Sequence, residues 1–104
     1  TEPNADTMLL TYGVTARAAR AAYKELKAMD RPVSLLILKT LWPVPENLIR
    51  EKTHTSKRVV VIEMNLGQYY REIRRILSDK RVESLARMDG RLISPKEIME
   101  AVIG

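Results

Sequence analysis

The sequence predicts an α/β fold, a three-layer α/β/α doubly wound sheet of four mainly parallel strands in the order 2-1-3-4. Three observations predict it. Apolar runs of strand length alternate with stretches of helical periodicity along the 104 residues. Residues 59–62 are four β-branched side chains without polar alternation, which is typical of a strand covered on both faces. Polar residues and a glycine follow this run directly, and open α/β sheets place their working groups there.

The first half of the chain reads as strand, helix, strand and short helix. Residues 8–12 form a strand, and Gly13 lets the chain turn sharply into a helix over residues 14–29. The apolar positions of that helix have helical spacing: Ala18, Ala19, Ala22, Tyr23, Leu26 and Met29. Its opposite, basic stripe is Arg17, Arg20, Lys24 and Lys27. Residues 33–38 are the second strand, and residues 46–52 a short helix after a loop with two prolines.

The second half repeats the alternation. The central strand 59–62 leads to a helix over residues 69–78 whose inward positions are Tyr69, Ile73, Ile76 and Leu77. Residues 82–88 alternate in polarity and predict an edge strand. Ser94, Pro95 and Glu97 form a capping box that starts a final helix. The buried stripe predicted for that helix is Ile98, Met99, Val102 and Ile103.

Composition excludes several kinds of site within this chain. There is no cysteine, so disulfides, a thiolate nucleophile and cysteine-ligated metal clusters are excluded. One histidine, His54, excludes a multi-histidine metal site and is expected to be solvated. The net charge of +5 is spread among acids and is expected to be a solvated surface rather than a docking patch. No apolar run could cross a bilayer and no signal-peptide pattern is present, so we expect a cytoplasmic protein without membrane contact.

The residues after the central strand carry the strongest functional pattern. Glu63 is the one carboxylate at the end of an apolar strand, and two alternatives stay open for it. Burial could raise its pKa and make it an acid or base, or it could accept backbone N–H bonds at a nearby helix start. Asn65 and Gly67 begin a turn that feeds the next helix N-terminus, which could hold an anion. Strand order 2-1-3-4 places Gly13 across a crevice from this turn.

Three segments in register resemble one known family. Residues 11–17 (TYGVTAR), 40–45 (TLWPVP) and 63–68 (EMNLGQ) are similar to landmarks of the alpha-type subunit of 2-oxoacid:ferredoxin oxidoreductases. The part resembled is the domain after the pyrimidine-binding one, which is similar to the transketolase C-terminal domain and Rossmann-like in fold. The 2-oxoglutarate and branched-chain types are resembled more than the pyruvate type. Val44 departs from the family, which usually has an aromatic residue there.

The resemblance implies cofactors and partners for the whole enzyme rather than for this chain. The family decarboxylates a 2-oxoacid on thiamine diphosphate with Mg, makes an acyl-CoA, and passes electrons through iron–sulfur clusters to ferredoxin. This chain lacks the family's thiamine motif, so we expect no cofactor, metal or catalytic residue in it, and no turnover by it alone. Its expected partners are other domains of the alpha subunit and the beta subunit. Residues 1–6 are expected to be a linker or cut domain edge and residues 7–104 a single α/β domain.

Our first hypothesis is a non-catalytic interface domain of such an oxidoreductase. Its interaction edge is predicted to consist of Gly13, Arg17, Trp42, Glu63, Asn65, Gly67 and Gln68. Trp42 is expected to pack as a lid over the carboxyl edge of the sheet. One alternative is a small module that holds CoA or a nucleotide at the switch point. Another, which rests on charge alone, is nucleic-acid binding through the basic stripe and Arg71, Arg74 and Arg75.

Overall fold

The computed structural model describes residues 6–31, 33–39, 42–64, 68–86 and 93–103, without the side chain of Gln68. Strands and helices alternate along the chain, as predicted. The strands are β1 (Thr7–Tyr12), β2 (Ser34–Leu38), β3 (Arg58–Glu63) and β4 (Arg81–Ala86). The helices are α1 (Thr15–Ala28), α2 (Glu46–Lys52), α3 (Gln68–Ile76) and α4 (Pro95–Ile103).

The four strands form one parallel sheet in the order β2-β1-β3-β4, which confirms the predicted fold class and strand order. Leu9 of β1 lies opposite Leu35 of β2 on one side and Val60 of β3 on the other. The β-branched run of β3 is therefore central, and its residues from Val59 to Glu63 are buried. β4 lies at the sheet margin and is only partly buried, as expected of an edge strand.

Successive side chains of the central strands point to opposite faces of the sheet and enter two separate cores. Met8 and Val59 face one layer, whereas Leu9 and Val60 face the other. The first core includes Ile49 of α2 and the inward face of α3, namely Tyr69, Ile73 and Ile76. The second core includes Ala19, Ala22 and Leu26 of α1 and Ile98 of α4. The small alanines bring α1 close to the sheet. Helices cover both faces, which explains why β3 needs no polar alternation.

Two residues of the predicted apolar stripes are exposed. Met29 is 49% exposed because α1 ends at Ala28, so the helical spacing that predicted its burial no longer applies. Ile103 is 42% exposed in the last turn of α4. It lies about 140° around the helix from the buried Ile98, beyond the stripe that faces the sheet. Both predictions of burial were wrong.

The predicted capping box at the start of α4 is present. The Ser94 backbone N–H donates to Glu97 Oε1 at 3.1 Å, and the Glu97 N–H donates to Ser94 Oγ at 3.2 Å. Asp6 belongs to the predicted linker, and its backbone carbonyl accepts hydrogen bonds from the N–H groups of Lys57 and Arg58. The division into residues 1–6 and 7–104 stays a prediction. Among the described residues, no helix is long and apolar enough to span a membrane.

Arg58 joins the start of the central strand to the end of α4. Its guanidinium donates to the carbonyls of Ala101 and Val102 at 2.7 and 2.9 Å, and to Glu83 Oε1 at 2.6 Å. Arg81 lies 2.5 Å from the other oxygen of Glu83. Burial alone would raise the pKa of Glu83, but the hydrogen bond and charge of Arg58, together with Arg81, lower it below its usual value. The ion pair of Arg58 with Glu83 therefore stabilises the folded chain while Glu83 is ionised.

The turn from β1 into α1 depends on Gly13, whose φ of 63° lies in the left-handed region. A Cβ at this position would meet no atom within 4 Å. The requirement for glycine here is therefore conformational rather than steric, since other residues rarely adopt this φ. This is the sharp turn that the sequence predicted.

We predict that Gly13→Ala lowers the free energy of unfolding by about 1 kcal/mol, because alanine is strained at positive φ. Urea denaturation of the chain measures this loss. Gly13→Asn is the matched control and should lose less, because asparagine tolerates this region better. Equal stability of the alanine variant and the parent would contradict the assignment of a left-handed turn.

We predict that the stability supplied by Glu83 is lost as pH falls. The pKa of Glu83 is lowered in the folded chain, so its contribution is present above the ordinary value of 4.5 and disappears as pH falls through the folded pKa. Glu83→Gln should cost about 1 kcal/mol at pH 7 and much less at acidic pH, in urea melts. Glu25→Gln, on the exposed side of α1, is the control. A loss that does not change with pH would refute the charge pairing.

Candidate functional site

The carboxyl ends of β1 and β3 form the switch point of the sheet. These strands are neighbours, yet β1 continues into α1 on one face and β3 continues towards α3 on the other. Connections that leave in opposite directions open a crevice at the strand ends. Tyr12 ends β1 and Glu63 ends β3, so both lie at this crevice.

Glu63 is fully buried, and both of its carboxylate oxygens accept hydrogen bonds. The Tyr12 hydroxyl donates to Oε1 at 2.9 Å, and the Tyr69 backbone N–H donates to the same oxygen at 3.2 Å. The Tyr70 backbone N–H donates to Oε2 at 3.0 Å. Of the two alternatives left open by the sequence, the structure shows the acceptor of backbone N–H bonds. The carboxylate also compensates the positive end of the α3 dipole.

An aromatic cluster surrounds this carboxylate. The ring of Tyr69 contacts Tyr12 edge to face, with centroids 5.4 Å apart, and Trp42 likewise at 5.9 Å. Burial, and secondarily the charge of Glu72, raise the pKa of Tyr69. Trp42 lies against the start of α3, as expected for a lid at the carboxyl edge, but 64% of its surface is exposed. The buried ring of Tyr69 thus supports an exposed indole at this edge.

Two threonines that we did not predict as site residues from the sequence complete the switch point. The Thr15 hydroxyl donates to the Tyr12 carbonyl at 2.6 Å. The Thr11 hydroxyl lies within hydrogen-bonding distance of both the Thr15 hydroxyl and the Ile62 carbonyl, the latter at 3.0 Å, and its single proton is donated to one of them. Both residues are buried, and together they fasten the turn at Gly13 to the end of β3. The sequence signal that could have identified them is Thr11, a polar residue within the apolar run of β1, followed four residues later by Thr15.

The structure divides the predicted site residues between two layers. Trp42 and Glu63 lie together with the aromatic cluster, on the side of α3. Arg17 lies instead on α1, exposed, where it lines a groove with the start of α4. Gly13 is exposed at the turn between them. Asn65 and Gly67 lie outside the described residues, as does the side chain of Gln68, which begins α3.

Residues 42–45 of the two-proline loop and His54 are among the described residues. Val44 packs against the first core although it replaces the aromatic residue usual in the resembled family. The peptide bond between Trp42 and Pro43 is cis. His54 is exposed, as expected. Within the described ranges, no three acidic or histidine side chains come together as metal ligands.

We predict that Glu63→Gln lowers the free energy of unfolding by about 2 kcal/mol, because an amide group would face backbone donors and the charge is lost. Urea denaturation and hydrogen exchange of the Tyr69 and Tyr70 amides measure the effect. Tyr12→Phe, which removes one neutral donor and keeps the carboxylate, should lose about half as much. Unchanged stability and exchange in Glu63→Gln would show that the carboxylate does not support α3.

The chain matches the family model of pyruvate:ferredoxin oxidoreductase core domain II over residues 5–98. It is 33% identical over 102 residues to the 2-oxoglutarate synthase subunit KorA of Methanothermobacter marburgensis, covering 97% of this chain and 27% of the relative. It is also 33% identical over 99 residues to the ketoisovalerate oxidoreductase subunit VorB of Methanothermobacter thermautotrophicus, covering 95% of this chain and 28% of the relative. The chain therefore spans little more than a quarter of these relatives.

Two solved structures share the fold. The 2-oxoglutarate:ferredoxin oxidoreductase from Magnetococcus marinus, with 2-oxoglutarate, coenzyme A and succinyl-CoA bound, superposes with a TM-score of 0.88 and 31% identity. The match covers 99% of this chain and 18% of that one. A split gene transketolase, an inactive beta4 tetramer, superposes with a TM-score of 0.81 and 20% identity over 94% of this chain and 37% of its own. At that identity the likeness concerns the fold alone.

These comparisons confirm the resemblance carried by residues 11–17, 40–45 and 63–68, and the transketolase-like architecture of the sheet. The family match extends well beyond the three segments and includes most residues of both cores and the start of α4. We conclude that the chain belongs to the pyruvate:ferredoxin oxidoreductase core domain II family.

Proposed function

We propose that this chain is a non-catalytic interface domain of a 2-oxoacid:ferredoxin oxidoreductase. In this proposal, the carboxyl edge of the sheet packs against other domains of the same subunit and against the beta subunit. The whole protein would convert a 2-oxoacid to an acyl-CoA and deliver electrons to ferredoxin, in the cytoplasm. The names of the relatives, 2-oxoglutarate synthase and ketoisovalerate oxidoreductase subunits, support this class of substrate.

One observation carries the proposal: the exposed indole of Trp42 packs on the buried Tyr69, and the buried carboxylate of Glu63 holds the helix that carries Tyr69. Trp42 is 64% exposed, yet its ring contacts Tyr69, which is itself buried. Glu63 holds the start of α3 beneath these rings. Exposed tryptophans on a rigid support are typical of the central contacts of protein interfaces, because they bury a large area with little loss of conformational freedom. Glu63 thus supports the edge from inside and does not itself reach a partner.

The chemistry of Glu63 supports a structural rather than a catalytic role. A general acid or base must reach a substrate proton, and this carboxylate accepts three hydrogen bonds from the protein in a fully buried position. The chain also lacks the thiamine motif of the family that it resembles, so its residues do not point to a thiamine diphosphate site. We therefore assign to this chain no step that thiamine diphosphate, Mg or iron–sulfur clusters perform in the whole enzyme.

The alternative, a module that holds CoA or a nucleotide at the switch point, is less well supported. It requires free N–H groups at the start of α3 to bind an anionic group. Two of these groups, on Tyr69 and Tyr70, already donate to Glu63. An added phosphate would lie beside a buried carboxylate and be repelled by it. The protein's own side chain thus takes the place of the anion.

We predict that Trp42→Ala weakens the association of the whole subunit with its beta subunit by about tenfold or more, as expected for a central interface tryptophan. Titration of purified subunits measures the dissociation constant. Turnover by complexes that do assemble should stay close to that of the parent, because Trp42 would contact a partner rather than substrate. Asn65→Ala and Gln68→Ala test the remaining predicted edge positions in the same assay.

Met29→Ala is the matched control, because Met29 is also an exposed large apolar side chain but lies beyond the far end of α1. It should leave the dissociation constant unchanged. Normal assembly of Trp42→Ala would overturn the proposed edge. Normal assembly with lost turnover would instead assign Trp42 to the reaction itself.

A further inference from the structure

A second surface lies on the opposite layer from Trp42. The first turns of α1 and the start of α4 enclose a groove of about 430 Å³. Its lining is mainly apolar, with Val14, Ala18, Ala21, Ile93 and Pro95. Among the described residues it also includes Thr15, Ser94 and the charged Arg17. Val14 is 69% exposed, so an apolar side chain stands open at the mouth of the groove.

The polar groups beside the groove are already bonded within the protein. The Thr15 hydroxyl donates to the Tyr12 carbonyl, and Ser94 and Glu97 satisfy each other in the capping box. Water in the groove would therefore form few hydrogen bonds with these groups. The small side chains of Ala18 and Ala21 leave room for larger side chains of an incoming molecule. Apolar side chains of an incoming molecule would be stabilised here by loss of contact with water.

Cations outnumber acids among the described residues beside the groove. Arg17, Arg20 and Lys24 are exposed on α1, one or two helical turns apart, whereas the acids are Glu25 on the same helix and Glu97, whose carboxylate is bonded to Ser94. The first turn of α1 contains no acidic residue. An occupant with carboxylates along one side and apolar side chains along the other would match both features, because opposite charges across an interface set its orientation and partner choice.

We propose that this groove seats an acidic amphipathic segment of a partner polypeptide in the assembled enzyme. The inference rests on the proposed role as an interface domain and adds a second contact face with a stated partner chemistry. A free anionic metabolite fits less well, because most of the described lining residues are apolar and Arg17 is the charged one among them. Nucleic acid fits less well because phosphates gain nothing from the apolar floor.

Two substitutions at one position test the proposal in the whole protein. Ala21→Glu and Ala21→Arg add similar bulk, and both residues favour helix, so α1 should form in each. Ala21→Glu should weaken association with the partner subunit about tenfold more than Ala21→Arg, because only the glutamate repels carboxylates. The difference should shrink in high salt. Arg74→Glu, exposed on α3, is the control and should leave association unchanged.

Photo-crosslinking from position 14 of the assembled, purified enzyme identifies the occupant directly. The expected product is a crosslink between position 14 and a segment of the partner polypeptide that has acidic and apolar residues at helical spacing. Equal effects of Ala21→Glu and Ala21→Arg, a crosslink to a segment without carboxylates, or no crosslinked peptide would each overturn the proposal. A gel shift with nucleic acid that Arg17→Glu abolishes would overturn it in favour of that ligand.

The two interface experiments fail independently, because Trp42 and the groove belong to different layers of the fold. If Trp42→Ala assembles normally while the crosslink from position 14 has the expected partner, the proposed carboxyl edge is wrong and the groove stands. If Trp42→Ala weakens assembly and position 14 yields no crosslink, the groove is wrong and the proposed function stands.

Discussion

The buried carboxylate of Glu63 is the interaction on which this end of the molecule depends. It ends the central strand, holds two backbone N–H groups of α3, and accepts the hydroxyl of Tyr12 from the neighbouring strand. A buried charge is stable only when hydrogen bonds replace the water it has lost. The requirement to satisfy this one group therefore fixes β1, β3 and α3 relative to one another at the switch point.

The two layers of the fold offer different surfaces from this common frame. On the side of α3, aromatic rings pack on the held helix start and leave Trp42 open. On the side of α1, small alanines and the capped start of α4 leave an apolar groove beside exposed cations. In our proposals, both surfaces pack against other parts of the assembled enzyme. A domain that contacts larger neighbours on two sides would need a separate contact surface on each side.

The extent to which sequence predicted this molecule depends on the range of each interaction. The capping box at Ser94 and Glu97 spans three residues, so its chemistry is complete within the sequence. The burial of β3 follows from its β-branched run because polar alternation is missing. The predictions for Met29 and Ile103 failed for a local reason. Helical periodicity gives the direction of a side chain, but it gives neither the end of the helix nor the width of the face that the sheet covers.

The sequence by itself determined the order of elements, their parallel arrangement, the central strand and the family, because these follow from periodicity and from motifs in register. Only the tertiary structure decided the role of Glu63, the bonding of Thr11 and Thr15, and the separation of Arg17 from Trp42. Each of these depends on groups that are distant in the chain: Tyr12 and Tyr69 meet Glu63 from different elements, and α1 and α4 meet because they pack side by side on one face of the sheet. A linear pattern lists such groups, but the sheet brings them within hydrogen-bonding distance.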